Sequence, residues 1–470
     1  MLLYTLIMEI LYVWIGDHYK SIKNLGFNFS KEYQFHFNPD SQKLNVIRKE
    51  DKITPLISEG KIKNITAIIG ENGSGKTNVL EFLSKWIGNL NIPQIIICDF
   101  GIAYSESFIK FEYLGNEEYA LKTYPIKASI NSNEVNVFYS KFHYLNVAEK
   151  KQEVIYYNPL FDTRHTWRHG DYCRDISTNF LLNAPDFNRT RPGNGEVLNY
   201  RYNEVKKHLA FINSPLYKKL PPSFKYSPHF ITNIAIRPND IEFYRIVEDT
   251  HLIKIYNQLI RNCNKYSIEI YNTNKGTTVD GVELTKEIIA FNAVYTYLND
   301  LHNERRILKD EIVKLCNLFI LDPGSRIIDI LKEKVLNFPA LNHNNQDLNK
   351  GIHDFINFMD KELNLENTEL KLFKPSTNPY DPFLFLPTFV HSIELSSFIM
   401  FEFMTEYDKT VFRKQYMDFF PKYTISSGEG GFITLYSRLY DIKNTVLPDT
   451  TLTIMIDEGE SGYHPQWQKM

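Results

Sequence analysis

Residues 65–77 read ITAIIGENGSGKT, and no other stretch constrains the chain as strongly. Gly70, Gly75, Lys76 and Thr77 fill the spacing G-x-x-x-x-G-K-[ST], with Glu71, Asn72, Gly73 and Ser74 between the glycines. Ile65, Ala67, Ile68 and Ile69 precede the loop as a short apolar strand. Val79, Leu80, Phe82, Leu83, Trp86 and Ile87 follow it at helical spacing. Strand, glycine-rich turn and helix in that order curl backbone N–H groups inward at a helix N-terminus, where a partial positive charge favours an anion. There Lys76 reaches the β- and γ-phosphates of a nucleotide, and the Thr77 hydroxyl is a magnesium ligand. The expected fold class is therefore α/β, a P-loop NTPase.

A phosphate loop leaves the kind of NTPase open, and the far end of the chain narrows it. Residues 451–458 read TLTIMIDE, an apolar strand ending in two carboxylates. Beside a phosphate loop, Asp457 is the candidate Mg²⁺ ligand, directly or through water, and Glu458 the candidate to polarise an attacking water. Residues 425–431 read ISSGEGG and lead into FITLYSRLYDIK. That Ser/Gly turn opens a helix and offers an anion a hydroxyl, backbone N–H groups and a helix dipole. Taken alone, it also reads as an ordinary N-capped helix.

Together these residues resemble the ABC-type ATPases of the SMC/RecF class. Ser426, Ser427, Gly428 and Glu429 match the signature LSSGE, with Ile425 in place of Leu. The tail DEGESGYHPQWQ resembles D-E-P-E-x-x-L-H-P-x-x-Q. Asp457, Glu458, Glu460, His464, Pro465 and Gln468 match, while Gly459 replaces Pro and Tyr463 replaces Leu. The stretch DHYKSIKNLGFNFS resembles the opening strand and loop of RecF-like heads, and Lys20 stands where that pattern has Arg, a residue that approaches the nucleotide. The resemblance covers residues 8–90 and 420–470. With VIYYNPLFD (154–162) and DISTNFLL (175–182), the wider layout is similar to bacterial ATPases of anti-phage systems such as Septu, which work beside a small nuclease.

The resemblance implies ATP and Mg²⁺ as cofactors. It implies a homodimer in which ATP on Lys76 of one chain is capped by the signature loop of the other. The γ-phosphate is then stabilised by Lys76, Mg²⁺ and the partner's helix N-terminus together. DNA or a partner nuclease is the implied target, in anti-phage defence or DNA repair, with no membrane association. Two alternatives are the ATPase half of an overcoming-lysogenization-defect-like nuclease and a non-hydrolysing ATP switch. Gln94 and Gln152 are both candidates for the family's Q-loop glutamine. The sequence stops at Met470, before the further strand and switch histidine of a complete head; truncation is the expectation, completion by a separate polypeptide the alternative.

The expected layout is an N-terminal head segment over 1–160 with antiparallel strands, a mostly helical insertion over 161–395, and the rest of the head over 396–470. Residues 95–155 read as strand-rich, and the pattern turns helical from about 200, without heptads long enough for a coiled-coil arm. Residues 164–174, RHTWRHGDYCR, place His165, His169 and Cys173 at helical spacing for a metal, although Gly170 argues against a continuous helix and favours a polar loop. Arg164, Arg168, Arg174, Arg189, Arg191 and Arg201, with Trp167, form a candidate nucleic-acid face; a solvated polar surface is the plainer reading.

Charge excludes a uniformly basic nucleic-acid binder, since 53 basic and 56 acidic side chains leave a net of -3. Four scattered cysteines without a CxxC pair exclude a disulfide scaffold and favour a reducing cytoplasm. The opening run MLLYTLIMEILYVW is too short to span a bilayer and lacks the basic start and small-residue cleavage site of a signal peptide. It is expected to hold a buried strand at Ile10–Trp14, and Met8 is an alternative start.

Overall fold

The computed structural model describes residues 9–16, 19–49, 68, 74–85, 93–98, 101–105, 112–114, 122–126, 152–160, 173–183, 196–220 and 231–236. It further describes 286, 289–290, 293, 296–297, 300–301, 309–320, 326–337, 346–361, 396–410, 412, 417–422, 427–443 and 451–458. The first elements are β1 (Ile10–Ile15), β2 (Leu25–Asn28), β3 (Tyr33–Asn38), β4 (Lys43–Arg48), α1 (Lys76–Lys85), β5 (Gln94–Cys98) and β6 (Gly101–Ser105). There follow β7 (Glu112–Leu114), β8 (Lys122–Ile126), β9 (Gln152–Tyr157), β10 (Cys173–Asp175), α2 (Thr178–Asn183), α3 (Glu196–Ile212), α4 (Pro215–Lys219) and β11 (Ile231–Ile236). The remainder are α5 (Lys309–Ile320), α6 (Ile327–Ile330) running into a π turn (Leu331–Val335), α7 (Gln346–Lys361), α8 (Ser397–Asp408), β12 (Met417–Lys422), α9 (Ser427–Lys443) and β13 (Thr451–Ile456).

The chain divides into two compact units, Met1–Leu181 with Asn444–Ser461 and Leu182–Lys443 with Gly462–Met470. These bounds differ from the expected ones at 160 and 395. Strand pairing explains the first difference, because β10 pairs in parallel with β9 and keeps the following residues with the first unit. Helix packing explains the second, because α9 packs on α3 and so belongs to the second unit.

In the first unit, β1 reads ILYVWI, and every residue after Ile10 is buried. Strands covered on both faces read as continuous apolar runs rather than as alternation. One face of β1 gives Val13 and Ile15 to a core shared with Val79, Phe82 and Leu83 of α1, Val154 and Tyr156 of β9, and Met455 of β13. The other gives Leu11, Tyr12 and Trp14 to a core with Phe35, Phe37 and Leu44. Adjacent Leu11 and Tyr12 share a core because the pairing of β1 with β5 shifts register between Ile10 and Tyr12, as a bulge does. The mixed sheet runs β2-β1-β5-β6-β8, antiparallel except for the parallel β6–β8 pair, and a second sheet runs β3-β4-β7. The third, β10-β9-β13, is parallel and positions the site by pairing β13, late in the chain, with β9.

In the second unit, α3 packs against α8 and α9, and α7 packs against α8. Phe355 of α7 meets Phe403 of α8 edge-on, with ring centroids 5.4 Å apart. Gly351 permits the close approach of α7, since a Cβ there would lie 1.9 Å from the Lys409 carbonyl oxygen. The unit also contains the antiparallel pair β11–β12, which the helical pattern of the middle segment does not announce. Residues 251–263, expected as helix, lie outside the described residues. Among the described residues, no helix is long and apolar enough to cross a membrane.

Candidate nucleotide and magnesium site

α1 begins at Lys76, directly after Gly75. Gly75 has φ +94°, a left-handed conformation that glycine adopts without a Cβ penalty. Space demands glycine as well, since a Cβ would lie 2.5 Å from Ser21 Oγ. The Gly75 carbonyl accepts the first helical bond from the Val79 N–H at 3.1 Å, so the chain passes from tight turn to helix within one residue. Asn78 Nδ2 donates to Ser21 Oγ at 2.8 Å and ties the first turn to the loop after β1. Val79, Phe82 and Leu83 anchor the other face of α1 in the core. Lys76 and Thr77 therefore occupy the first turn of a fixed helix. Ser74 lies just before it and is exposed, whereas Gly70, Glu71, Asn72, Gly73 and the strand at 65–69 (Ile68 apart) lie outside the described residues.

β13 brings Asp457 to that turn. The Asp457 N–H donates to the Tyr157 carbonyl at 2.9 Å, one step beyond the β9–β13 ladder. Across 380 positions of sequence, Thr77 Oγ1 donates to Asp457 Oδ1 at 3.2 Å. The other carboxylate oxygen, Oδ2, accepts from Tyr156 Oη at 3.1 Å and from Asn158 Nδ2 at 3.4 Å. Asp457 is only 5% exposed, so these bonds replace the water that a buried carboxylate would otherwise lack. Burial first, and the Asp457 charge next, hold the Tyr156 hydroxyl well above the usual phenol range, which keeps it a proton donor.

Glu458 follows with φ +52°, a left-handed turn that is uncommon away from glycine and recurs at functional sites. Lys20 also has positive φ, 54°, and pairs with the buried Glu81 of α1, on the turn after Lys76 and Thr77. The structure thus places Lys20 against α1, with its side chain about half exposed.

These groups suit Mg²⁺, which takes one or two carboxylates plus phosphate oxygens and waters rather than a protein cage. Thr77 and Asp457, one hydrogen bond apart, supply a hydroxyl and a carboxylate. Among the described residues, no cluster of three or more His, Cys, Asp or Glu side chains forms a separate metal site.

The signature segment lies in the second unit. Ser426 is outside the described residues, Ser427 is the first residue of α9, and Gly428 and Glu429 complete its first turn. A buried polar cluster fixes α9 on α3. Arg438, 1% exposed, donates from Nε to Glu204 Oε2 at 2.9 Å and from Nη2 to the Tyr200 hydroxyl at 2.9 Å. Thr434 Oγ1 lies 3.3 Å from His208 Nε2. Burial works to raise Glu204, but Arg438, Lys207 and His208 outweigh it and hold the carboxyl below its usual range. Burial, aided by Arg438 and Lys207 and opposed by Glu204, pushes His208 down to about 4.

Both shifts act in the same direction. The unfolded chain takes up the His208 proton near its ordinary 6.5, while the folded chain refuses it until about 4. The His208 contribution to stability is therefore full above pH 6.5 and is lost as pH falls toward 4, with Glu204 adding a further loss below its ordinary 4.5. Thermal melting across that range should show a slope for the wild type and a shallower one for His208→Gln. Equal slopes would remove His208 as the cause.

The remaining sequence candidates separate. Cys173 lies in strand β10 rather than on a helix, and burial pushes its thiol up to about 12, which suits a core position better than a metal ligand. His165 and His169 lie outside the described residues. Arg174 and Arg201 are exposed, whereas Arg164, Trp167, Arg168, Arg189 and Arg191 are outside the described set. Gln94 is buried at the start of β5, and Gln152 stands opposite Thr451 where β9 begins. Glu460, His464, Pro465 and Gln468 lie outside the described residues.

Tyr156 and Asn158 were not read as site residues from sequence. Their only sequence signal is the stretch VIYYNPLFD, which marks no chemistry by itself. The sequence matches no protein-family model, and no curated protein or solved structure matches it.

Proposed function

We propose that the chain is an ATP-binding and ATP-hydrolysing head of the ABC type, which dimerises on ATP and couples that step to a nucleic-acid or nuclease partner. One observation carries the reading: the Thr77 hydroxyl on Asp457, which joins the phosphate-loop helix to the acidic strand. Two motifs read independently from opposite ends of the chain meet within one hydrogen bond, as a shared nucleotide–metal site requires.

In this reading, Lys76 and the N-terminal amides of α1 bind the phosphates. Thr77 and Asp457 hold Mg²⁺, which when bound neutralises phosphate charge. Glu458 orients the attacking water and draws off its proton as the bond to the terminal phosphorus forms and the bond to the ADP oxygen breaks. The first turn of α9, with Ser427, Gly428 and Glu429, serves a nucleotide on a second copy. Exposed Arg174 and Arg201 are the described candidates for nucleic-acid phosphate contact.

Phosphate release from Mg-ATP tests the reading. Glu458→Gln is expected to reduce turnover by about 10²–10⁴-fold, the range for losing a general base, while ATP affinity stays near wild type. Unchanged turnover would remove Glu458 from the chemistry. A wild type that neither binds nor hydrolyses ATP would overturn the function itself.

A further inference from the structure

We propose that Tyr156 and Asn158 are positioning residues that hold the Asp457 carboxylate in the orientation needed to share a magnesium ion with Thr77. The inference rests on the nucleotide–magnesium reading of the site and deepens it.

Register supplies the argument. β9 and β13 run parallel with Met455 opposite Tyr156 and Ile456 opposite Tyr157. One step on, Asp457 comes opposite Asn158. Tyr156 and Asn158 are two residues apart, so they lie on the same face of the strand path and flank Asp457 together. Both donate to Oδ2, at 3.1 and 3.4 Å. The carboxylate torsion is thereby set, and Oδ1 is the oxygen presented to Thr77.

The two donors are themselves fixed. The Tyr156 ring is buried in the core with Val13, Val154 and Met455, which aims its hydroxyl. Asn158 Oδ1 accepts from the Leu160 N–H at 2.8 Å, so its amide nitrogen is the atom turned to Asp457. The Asn158 carbonyl accepts from the Thr178 N–H at 3.0 Å, which ties that backbone to the start of α2. Supporting hydrogen bonds of this kind orient metal-binding carboxylates, and losing one costs about 10–100-fold in metal affinity or activity.

The test is a magnesium titration of nucleotide binding, read with a fluorescent ATP analogue on the full chain. Tyr156→Phe removes one oxygen and leaves the ring in the core. Asn158→Ala removes the second donor, and Tyr157→Phe is the control from the opposite face of the same strand. The half-saturating Mg²⁺ concentration is expected to rise about tenfold or more in Tyr156→Phe and Asn158→Ala, with metal-free nucleotide affinity in EDTA unchanged. Tyr157→Phe is expected to titrate as wild type. Wild-type half-saturation in both test variants would overturn the inference. So would an equal shift in Tyr157→Phe, or a matching loss of affinity in EDTA, since either is what a merely structural role gives. In those cases Mg²⁺-dependent binding by the wild type leaves the functional reading standing. A wild type that binds no nucleotide removes both.

Discussion

Replacing Lys76 with alanine is expected to weaken ATP binding by about ten- to a hundredfold. A hydrogen bond to a charged group contributes about 1.5–3 kcal/mol, and 1.4 kcal/mol corresponds to about a factor of ten. Lys76 would engage two phosphates, which puts the loss toward the upper end. The same change should leave the fold intact. Lys76 is the first residue of α1, where a positive side chain opposes the positive end of the helix dipole. The nucleotide-free melting temperature should therefore hold, while the upward shift produced by ATP shrinks with the lost affinity. Isothermal titration and thermal melts, with and without Mg-ATP, read the two quantities separately. Unchanged ATP affinity would overturn the phosphate-loop assignment.

Arg438→Met is expected to give the largest loss of stability, about 3–5 kcal/mol. That is the cost of breaking a buried ion pair, and Glu204 keeps only the longer 3.4 Å contact with Lys207. Arg438 is 1% and Glu204 7% exposed, so water does not reach the carboxylate left behind. Adding Glu204→Gln should recover much of the loss, because the buried charge that Lys207 alone would have to balance disappears. The four-variant cycle, measured by chemical denaturation, isolates the pair. A single-variant cost below about 1 kcal/mol would place the pair with exposed ion pairs, against its burial.

What could be read in the sequence was local. β1 was legible because ILYVWI is a continuous apolar run, and α1 because its apolar residues follow a glycine-rich turn at helical spacing. The strand that leads to Asp457 was legible because TLTIMI is a short apolar run. The partners of these residues were not legible, because long-range pairing supplies them. Tyr156 meets Asp457 across 301 positions and Glu204 meets Arg438 across 234. No periodicity encodes a parallel register of that span. Arg438 illustrates the limit: within SRLYDIK it reads as an ordinary solvated helix position, and only the packing of α9 on α3 makes it buried. The pair β11–β12 was missed for the same reason, since ITNIAI and MDFFPK gain strand character from each other. Lys20 shows the reverse case. Its position in the opening loop was read from pattern, while its pairing with Glu81 depends on how that loop lies on α1.

The most direct measurement is solution mass with and without Mg-ATP, on the wild type and on Glu458→Gln. One chain is 55.3 kDa. Glu458→Gln is expected to be monomeric without nucleotide and to double its mass with Mg-ATP, because binding is kept while hydrolysis is blocked. The wild type should show a smaller dimer fraction that decays as ATP is consumed. A mass that does not change while ATP is demonstrably bound would contradict a nucleotide shared between two copies.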